Sequence, residues 1–429
     1  MKKILITTLS VFFLSAAMAQ VQANQELKAL INQAFSYFPK VKEAENSIAT
    51  AQEKLEIVQS NSPEVDGIAS YNFVQPKITL PLQVNGETKD FQFAPVHNFN
   101  ANITGSYMLF DFGRLKANIV KAKTDLTYAQ HNVAFVKAQL ATQVATIYYN
   151  IIYLQKAMAI EDSVLAYLNE NKAIIESKLR NGDAIKIDLL NIQASIDAED
   201  NRKVDLKNSL QKQQNLLSYT TGNITSGGTA FDFDVQLKDG VAALTDAQTL
   251  NLEYVLAKDK LQQAQNELSL TKLGDKPSLN IGANAGVKNG YVPNVNEPRF
   301  NYGAGVTFRL PIYNGGKTQR QTKLAETVIK QNELSLKSLD NSFIKDIQQA
   351  LTDVNSNLER IKNTAGQIEE AKAAQALSAV RYKNGVGTNL EITNASTNAE
   401  RASFTRLQYE YQLCLAKIEV ARLLGYQYW

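Results

Sequence analysis

NFNANITGSYML, residues 98–109, decides how the rest of the chain is read. Its odd positions carry Phe99, Ala101, Ile103, Tyr107 and Leu109, interrupted only by Gly105, while Asn98, Asn100, Asn102, Thr104 and Ser106 fill the even ones. Alternation with period two puts these sets on opposite faces of a β-strand. The polar face is built of small amides and hydroxyls and carries no charge. A length of about twelve residues also suits a tilted membrane-crossing strand, which needs roughly 9–11. A half-buried strand of a soluble sandwich fits the same pattern, so the surrounding sequence has to decide.

Residues 1–19, MKKILITTLSVFFLSAAMA, combine two lysines, an apolar run and a small-residue ending at Ala17-Met18-Ala19, the pattern of a secretory signal peptide. The mature chain is expected to begin near Gln20. Position 20 is not cysteine, and Cys414 is the only cysteine of the chain, so no disulfide framework supports an exported fold. The net charge of +3 shrinks further once Lys2 and Lys3 leave with the leader, which removes the basic field that nucleic-acid binding requires. Mean hydropathy is −0.25, and no later stretch is long and apolar enough for a membrane-spanning helix. Any residence in a membrane therefore runs through strands.

Upstream, residues 25 to about 60 read as an amphipathic helix that Pro39 either kinks or divides and Pro63 ends. A weaker alternation at about 63–74 (Val65, Ala69, Tyr71, Phe73) provides a hairpin partner for the strand at 98–112. The segment between them holds its own turn signal, Asn85-Gly86. Downstream, nothing breaks helix over 113–180. Leu115, Ile119, Ala122, Leu126, Ala129, Val133, Val136, Leu140, Val144, Ile147, Ile151 and Leu154 recur at alternating spacings of three and four. This is a coiled-coil-like period, and at 1.5 Å per residue such a helix extends about 100 Å. Asn181-Gly182 ends it, and a return helix covers 186–221 until Gly222.

The whole pattern then repeats without gaps. One constant offset carries Gly113 to Gly316, Gly182 to Gly385 and Gly222 to Gly425. The first repeat spans 20–222. The second spans 247–429, with strands at about 277–288 and 300–313, a long helix at 316–383 and a return helix at 388–424. Residues 223–246 are expected to be a peripheral linker between them. Four strands per chain cannot close a barrel, which needs about eight, and open sheet edges are not tolerated in lipid. Such a chain must associate; two copies supply eight strands and three supply twelve.

The stretches LFDFGRLKANIVKAKTDL (109–126), NGDAIKIDLLN (181–191), PSLNIGANAG (277–286), LPIYNGGKTQRQTKLAE (310–326) and NGVGTNLEITNA (384–395) resemble the TolC-like outer-membrane efflux family over essentially the whole mature chain. The resemblance implies an α+β membrane protein. Two structural repeats would each give two strands to a twelve-stranded barrel of a homotrimer in outer-membrane lipid of a Gram-negative bacterium, and long coiled-coil helices to a periplasmic α-barrel tunnel. It implies a passive export conduit working with a periplasmic adaptor protein and an inner-membrane transporter of the RND or ABC class, with no cofactor and no catalysis.

On this reading Asn98, Asn100, Asn102 and Asn301 line the barrel lumen. The turns at Asn181-Gly182 and Asn384-Gly385 are ordinary helix-hairpin turns needing left-handed φ, and by resemblance also the adaptor-docking tips. Asp188 and Glu391 hold equivalent places early in the return helices. Compensation of the helix dipole, worth about 0.3–1 kcal/mol each, accounts for both. By resemblance Glu391 and Asn394 also match an acidic ring at the tunnel entrance, Asp188 an acid involved in closing it, and Tyr382 a position near the closed tip. Gly387 stands where some members carry a basic partner, and Asn394 replaces an acid.

Other chemistry has little support. His97 and His131 sit on different elements and form no metal motif. Cys414, among Leu407, Tyr411 and Ile418, reads as core. Gly222, Gly227 and Gly228 lack the Lys-Ser/Thr of a phosphate loop, and no nucleophile or acid/base constellation suggests an enzyme. The rival reading is a non-channel structural or adhesive trimeric coiled-coil surface protein whose strands form a sandwich.

Overall fold

The computed structural model describes residues 21–223 and 228–429; the expected leader at 1–19 lies outside them. Among the described residues the order is β1 (Val21–Gln22), α1 (Gln25–Tyr37), α2 (Pro39–Gln59), β2 (Glu64–Phe73), β3 (Thr79–Val84), β4 (Glu87–Gln92), β5 (His97–Phe110), α3 (Arg114–Asn181) and α4 (Lys186–Thr221). There follow β6 (Asp234–Val235), α5 (Gly240–Leu250), α6 (Leu252–Thr271), β7 (Ser278–Lys288), β8 (Arg299–Arg309), α7 (Lys317–Lys383) and α8 (Asn389–Leu424). The chain forms two compact units. A helical unit takes residues up to Ser47, Ala129–Lys258 and Leu334–Trp429; a sheet unit takes Ile48–Tyr128 and Asp259–Glu333. Neither unit coincides with a repeat, because each draws segments from both.

The sheet unit is built on four antiparallel strands in the order β2-β5-β7-β8. The register keeps the two-faced pattern in phase across all of them. One face carries rows such as Ala69-Ala101-Val287-Phe300 and Gly67-Ile103-Ala285-Tyr302. Ile103 is 63% and Tyr302 82% exposed. The opposite face carries rows such as Ser70-Asn100-Lys288-Arg299 and Asp66-Thr104-Asn284-Gly303. The charged residues Glu64, Asp66, Lys288, Arg299 and Arg309 all fall on this polar face. Glycines on it make room for amides: a Cβ at Gly286 would run into the Asn102 side chain and the Ala101 carbonyl, and one at Gly303 would stand 2.8 Å from Asn284 Oδ1. The register shifts between Met108 and Phe110, so the alternation of β5 ends at a bulge around Leu109. Strands β2 and β8 are the sheet edges, each with one side unpaired.

Strands β3 and β4 form a separate hairpin, closed by Asn85 and Gly86 with φ of 56° and 84°, the left-handed pair of a two-residue turn. The two long helices start from duplicated caps. Asp111 accepts from the Gly113 N–H at 3.0 Å and from Leu115 N–H, and its repeat counterpart Asn314 accepts from the Lys317 N–H at 3.2 Å. Within the sheet unit Lys121 pairs with Glu267 at 2.6 Å, and Asn266 donates to Thr124 at 2.7 Å.

In the helical unit one core joins Leu27, Leu30 and Ile31 of α1, Val144, Tyr148 and Ile151 of α3, Phe343 and Ile347 of α7, and Ile418 and Leu424 of α8. Most of the three/four-spaced positions of the long helix are buried, Leu140, Val144, Ile147, Ile151 and Leu154 among them. Cys414 is in this core, and burial pushes its thiol pKa up. Of the two effects open to Pro39 the structure shows division: Phe38 (φ −71°, ψ 121°) separates α1 from α2, because the residue before a proline is driven to extended backbone and Pro39 then opens a new helix. One reading needs correction. Of the segment 223–246, expected to be a peripheral linker, the described residues 228–246 are not peripheral: Phe233, Val235 and Ala243 are in the core, and β6 pairs with β1 through Val21 and Val235. Its glycines suggested a linker, but Phe231, Phe233 and Val235 supply enough apolar surface to bury it.

The glycine contacts give a direct check. Gly286→Ala is expected to destabilise the sheet unit by about 1–3 kcal/mol, since backbone must move. Gly305→Ala, where a Cβ would meet nothing within 4 Å, is expected to be neutral or slightly stabilising. Chemical denaturation in detergent distinguishes the pair; equal midpoints would contradict the register described.

Candidate functional site

The two hairpin turns of the helical unit repeat one another to the hydrogen bond. At the end of α3, Gly182 (φ 82°) donates to Leu179 O at 3.2 Å and Asp183 N–H to Lys178 O at 2.9 Å. At the end of α7, Gly385 (φ 78°) donates to Tyr382 O at 3.0 Å and Val386 N–H to Arg381 O at 3.0 Å. This double closure of the last helical turn requires a left-handed residue, which explains the glycines after Asn181 and Asn384.

The side chains at equivalent positions then diverge. Asp188 turns back onto its own helix start, accepting from the Ile185 N–H at 3.4 Å. In α8 that role passes to Thr388, whose Oγ1 accepts from the Glu391 N–H at 3.3 Å, and Glu391 instead pairs with Arg381, Nε to Oε2 at 3.4 Å. Both partners are close to half exposed, so the pair contributes about 0–1 kcal/mol. Arg381 also donates to Val386 O at 3.2 Å. Asn394 shares with Glu391, Glu370, Asn398 and Arg401 an open polar groove between α7 and α8.

Tyr382 is the anchor between the two hairpins. It is 5% exposed, in a core with Leu168 and Ile175 of α3, Ile192 of α4 and Ile392 of α8. Lys178 Nζ lies 4.6 Å from the ring centroid and donates to the Tyr382 carbonyl. The hydroxyl is shielded from solvent without a hydrogen-bond partner, and burial, helped by nearby Asp188, raises its pKa. Asn389 Nδ2 donates to Asp188 O at 3.2 Å, and Tyr167 to Gln375 O at 3.3 Å. The structure thus brings Asp188, Tyr382 and Glu391 into one neighbourhood of the helical unit.

Asn98, Asn100, Asn102 and Asn301 belong to the sheet unit, on its polar face. Asn98 Nδ2 donates to Pro95 O at 3.0 Å and Asn301 Nδ2 to Gly286 O at 3.2 Å, while Asn100 Oδ1 and Asn102 Oδ1 are covered without partners. His97 Nδ1 lies 2.8 Å from the Tyr71 hydroxyl.

Sequence reasoning passed over Lys178, Arg381 and Asn389. The first two occupy equivalent positions of the repeats, so a search for duplicated basic residues before the Asn-Gly turns would have found them. It also passed over Glu161, Glu199 and Glu400, whose carboxylate oxygens lie within 4.8 Å of one another. Burial and the neighbouring Glu199 push the Glu161 carboxyl up to about 7.

A family model described as outer membrane efflux protein matches residues 30–223 and 244–426. The outer membrane protein TolC of Escherichia coli is 21% identical, over 93% of this chain and 86% of its own. The cation efflux system protein CusC of the same species is 19% identical, over 77% and 74%. Among solved structures, the outer membrane protein VceC of Vibrio cholerae superposes with a TM-score of 0.75 at 18% identity, covering 93% of this chain and 96% of that one. The open state of the MtrE outer membrane channel of Neisseria gonorrhoeae gives 0.73 at 17%, covering 93% and 88%. These likenesses speak for an outer-membrane channel and give the adhesive fibre no support.

For the anchor, Tyr382→Phe removes only an unpartnered hydroxyl and is expected to leave stability within about 0.5 kcal/mol or raise it, whereas Tyr382→Ala is expected to cost about 3–5 kcal/mol. Thermal unfolding of the two variants in detergent measures the difference, and a large loss for the phenylalanine variant would reveal a hydroxyl contact missing from this description.

Proposed function

The chain belongs to the outer membrane efflux protein family, and from that premise we propose that it is the outer-membrane channel of a tripartite efflux or type I secretion system, assembled as a homotrimer. The observation that carries the reading is the four-stranded sheet, apolar on one face save His97, polar on the other save Ile68 and Met108, and open at both edges. In hydrocarbon every backbone N–H and C=O needs a partner, so β2 of one copy would pair with β8 of the next. Three copies, the number the family resemblance implies, would give twelve strands. The face with Phe99, Ile103, Tyr302 and Phe308 would meet lipid, and the face with Asn98, Asn100, Asn102 and Asn301 would line the water-filled lumen. The placement of charge supports this, because a Lys or Arg facing lipid at mid-bilayer costs about 2–4 kcal/mol and the rows that would face lipid contain none.

The helical unit would supply the periplasmic tunnel, its turns at Asn181-Gly182 and Asn384-Gly385 presented to a periplasmic adaptor. An inner-membrane RND or ABC transporter would load the conduit and provide the energy, since the channel itself catalyses nothing. Three copies would bring Glu391 and Asn394 into a ring at the entrance, where carboxylates favour cations. Arg381 offsets part of that charge, so this ring is weaker than its three acids alone suggest.

Two measurements examine the proposal. In single-channel recording, Glu391→Gln is expected to lower cation preference and Arg381→Met to raise it; an unchanged preference in both would remove the ring from the mechanism. In intact cells, a membrane-impermeant thiol reagent is expected to label Asn102→Cys far faster than Ile103→Cys, and equal rates would reverse or abolish the assigned facing.

A further inference from the structure

Beyond the export reading and independent of it, we propose that Glu161, Glu199 and Glu400 hold a hard divalent cation of the calcium or magnesium type, which ties the α3–α4 hairpin to α8. The three carboxylates come from three helices and both repeats, and converge within 4.8 Å. Glu161 is 0% exposed, is aimed into this group, and has no hydrogen-bond partner at either oxygen. A carboxylate taken out of water and left so requires a counter-charge.

The charges in the cluster decide what kind. Arg202 Nη1 stands 3.1 Å from Glu199 Oε2 and also contacts Glu400, so one guanidinium faces three carboxylates. Asp162, next to Glu161 in sequence, is matched by Lys203 at 2.5 Å and leaves the sum unchanged. Two negative charges remain uncompensated. One proton shared between Glu161 and Glu199 removes half of that surplus; one divalent cation removes all of it. The donor set is carboxylate only, with no histidine or cysteine, which suits calcium or magnesium and disfavours zinc or copper. Three carboxylates offer up to six oxygens, and water would complete the shell. Arg202 is half exposed, so the cluster is open to solvent on that side, which gives an ion a way in. The pieces are far apart in sequence, which is why no metal-ligand spacing announces them.

The experiment uses full-length protein in detergent, stripped with a chelator and dialysed, then titrated separately with calcium chloride and magnesium chloride by calorimetry, with thermal midpoints recorded alongside. The expected result is one ion bound per chain, a midpoint that rises with ion concentration, and a loss of affinity of at least tenfold in Glu161→Gln and in Glu400→Gln. Asp353→Asn, an exposed acid of α7 elsewhere in the helical unit, should bind as the parent does. Two cluster variants guard against one that fails to fold. No binding by the parent chain, undiminished binding by both cluster variants, or a stability that follows pH but not either cation would overturn the proposal, the last by showing that the cluster holds only a proton.

Discussion

Backbone hydrogen bonds at a sheet edge are the constraint from which the rest of this molecule follows. A strand that faces water can leave its outer N–H and C=O groups to the solvent; a strand in hydrocarbon cannot. The sheet of this chain ends in two such strands, β2 and β8, while its apolar face, with Ile103, Tyr302 and Phe308, is exposed among the described residues. Both deficits are removed by one step, edge-to-edge pairing with further copies that leaves the apolar face for lipid. The strict phase across β2, β5, β7 and β8 then matters more than any single contact, because a slip of one residue would exchange the faces of a whole strand. Gly286 beside Asn102 and Gly303 beside Asn284 resist such a slip by fitting amide to glycine at defined rungs.

Duplication gave the helical unit two equivalent hairpins, and their turns retain the same hydrogen bonds while their side chains have separated in role. Lys178 and Arg381 are repeat counterparts, yet one secures a neighbouring tyrosine and the other faces an acid. The buried contacts, Tyr382 in its apolar core and Asn389 on the Asp188 carbonyl, carry most of the cohesion. The half-exposed Arg381–Glu391 pair adds little to stability.

Much of this was legible in sequence because it is periodic. Alternation with period two is visible in Asn98–Leu109 and again in Asn301–Ile312, of which β8 keeps the part up to Arg309, and the three/four spacing marks Leu140 to Leu154 as the buried stripe of a long helix. Local chemistry was equally readable where one residue type is required, as with Gly182, Gly385 and the Asn85-Gly86 turn. What escaped was anything made by residues distant in sequence. The break at Phe38 depends on a proline whose two possible effects sequence alone did not separate. The burial of Phe233 and Val235 depends on Val21 and Tyr428. The tip anchor needs Lys178 and Tyr382 to meet across two hairpins, and no spacing rule relates them.

The composition of the helical unit also orders the events of its making. Its core needs Leu27 of α1, Tyr148 and Ile151 of α3, and Leu424 and Tyr428 at the far end of the sequence. A chain that crosses a membrane from its N-terminus delivers α1 long before α8 exists to cover it. Contacts of such long sequence separation form slowly, and until the last turn of α8 arrives the apolar stripes of α1 and α3 stay open to any other unfinished chain nearby. A late-closing core of this kind makes the unfinished chain, rather than the finished fold, the state most open to wrong association.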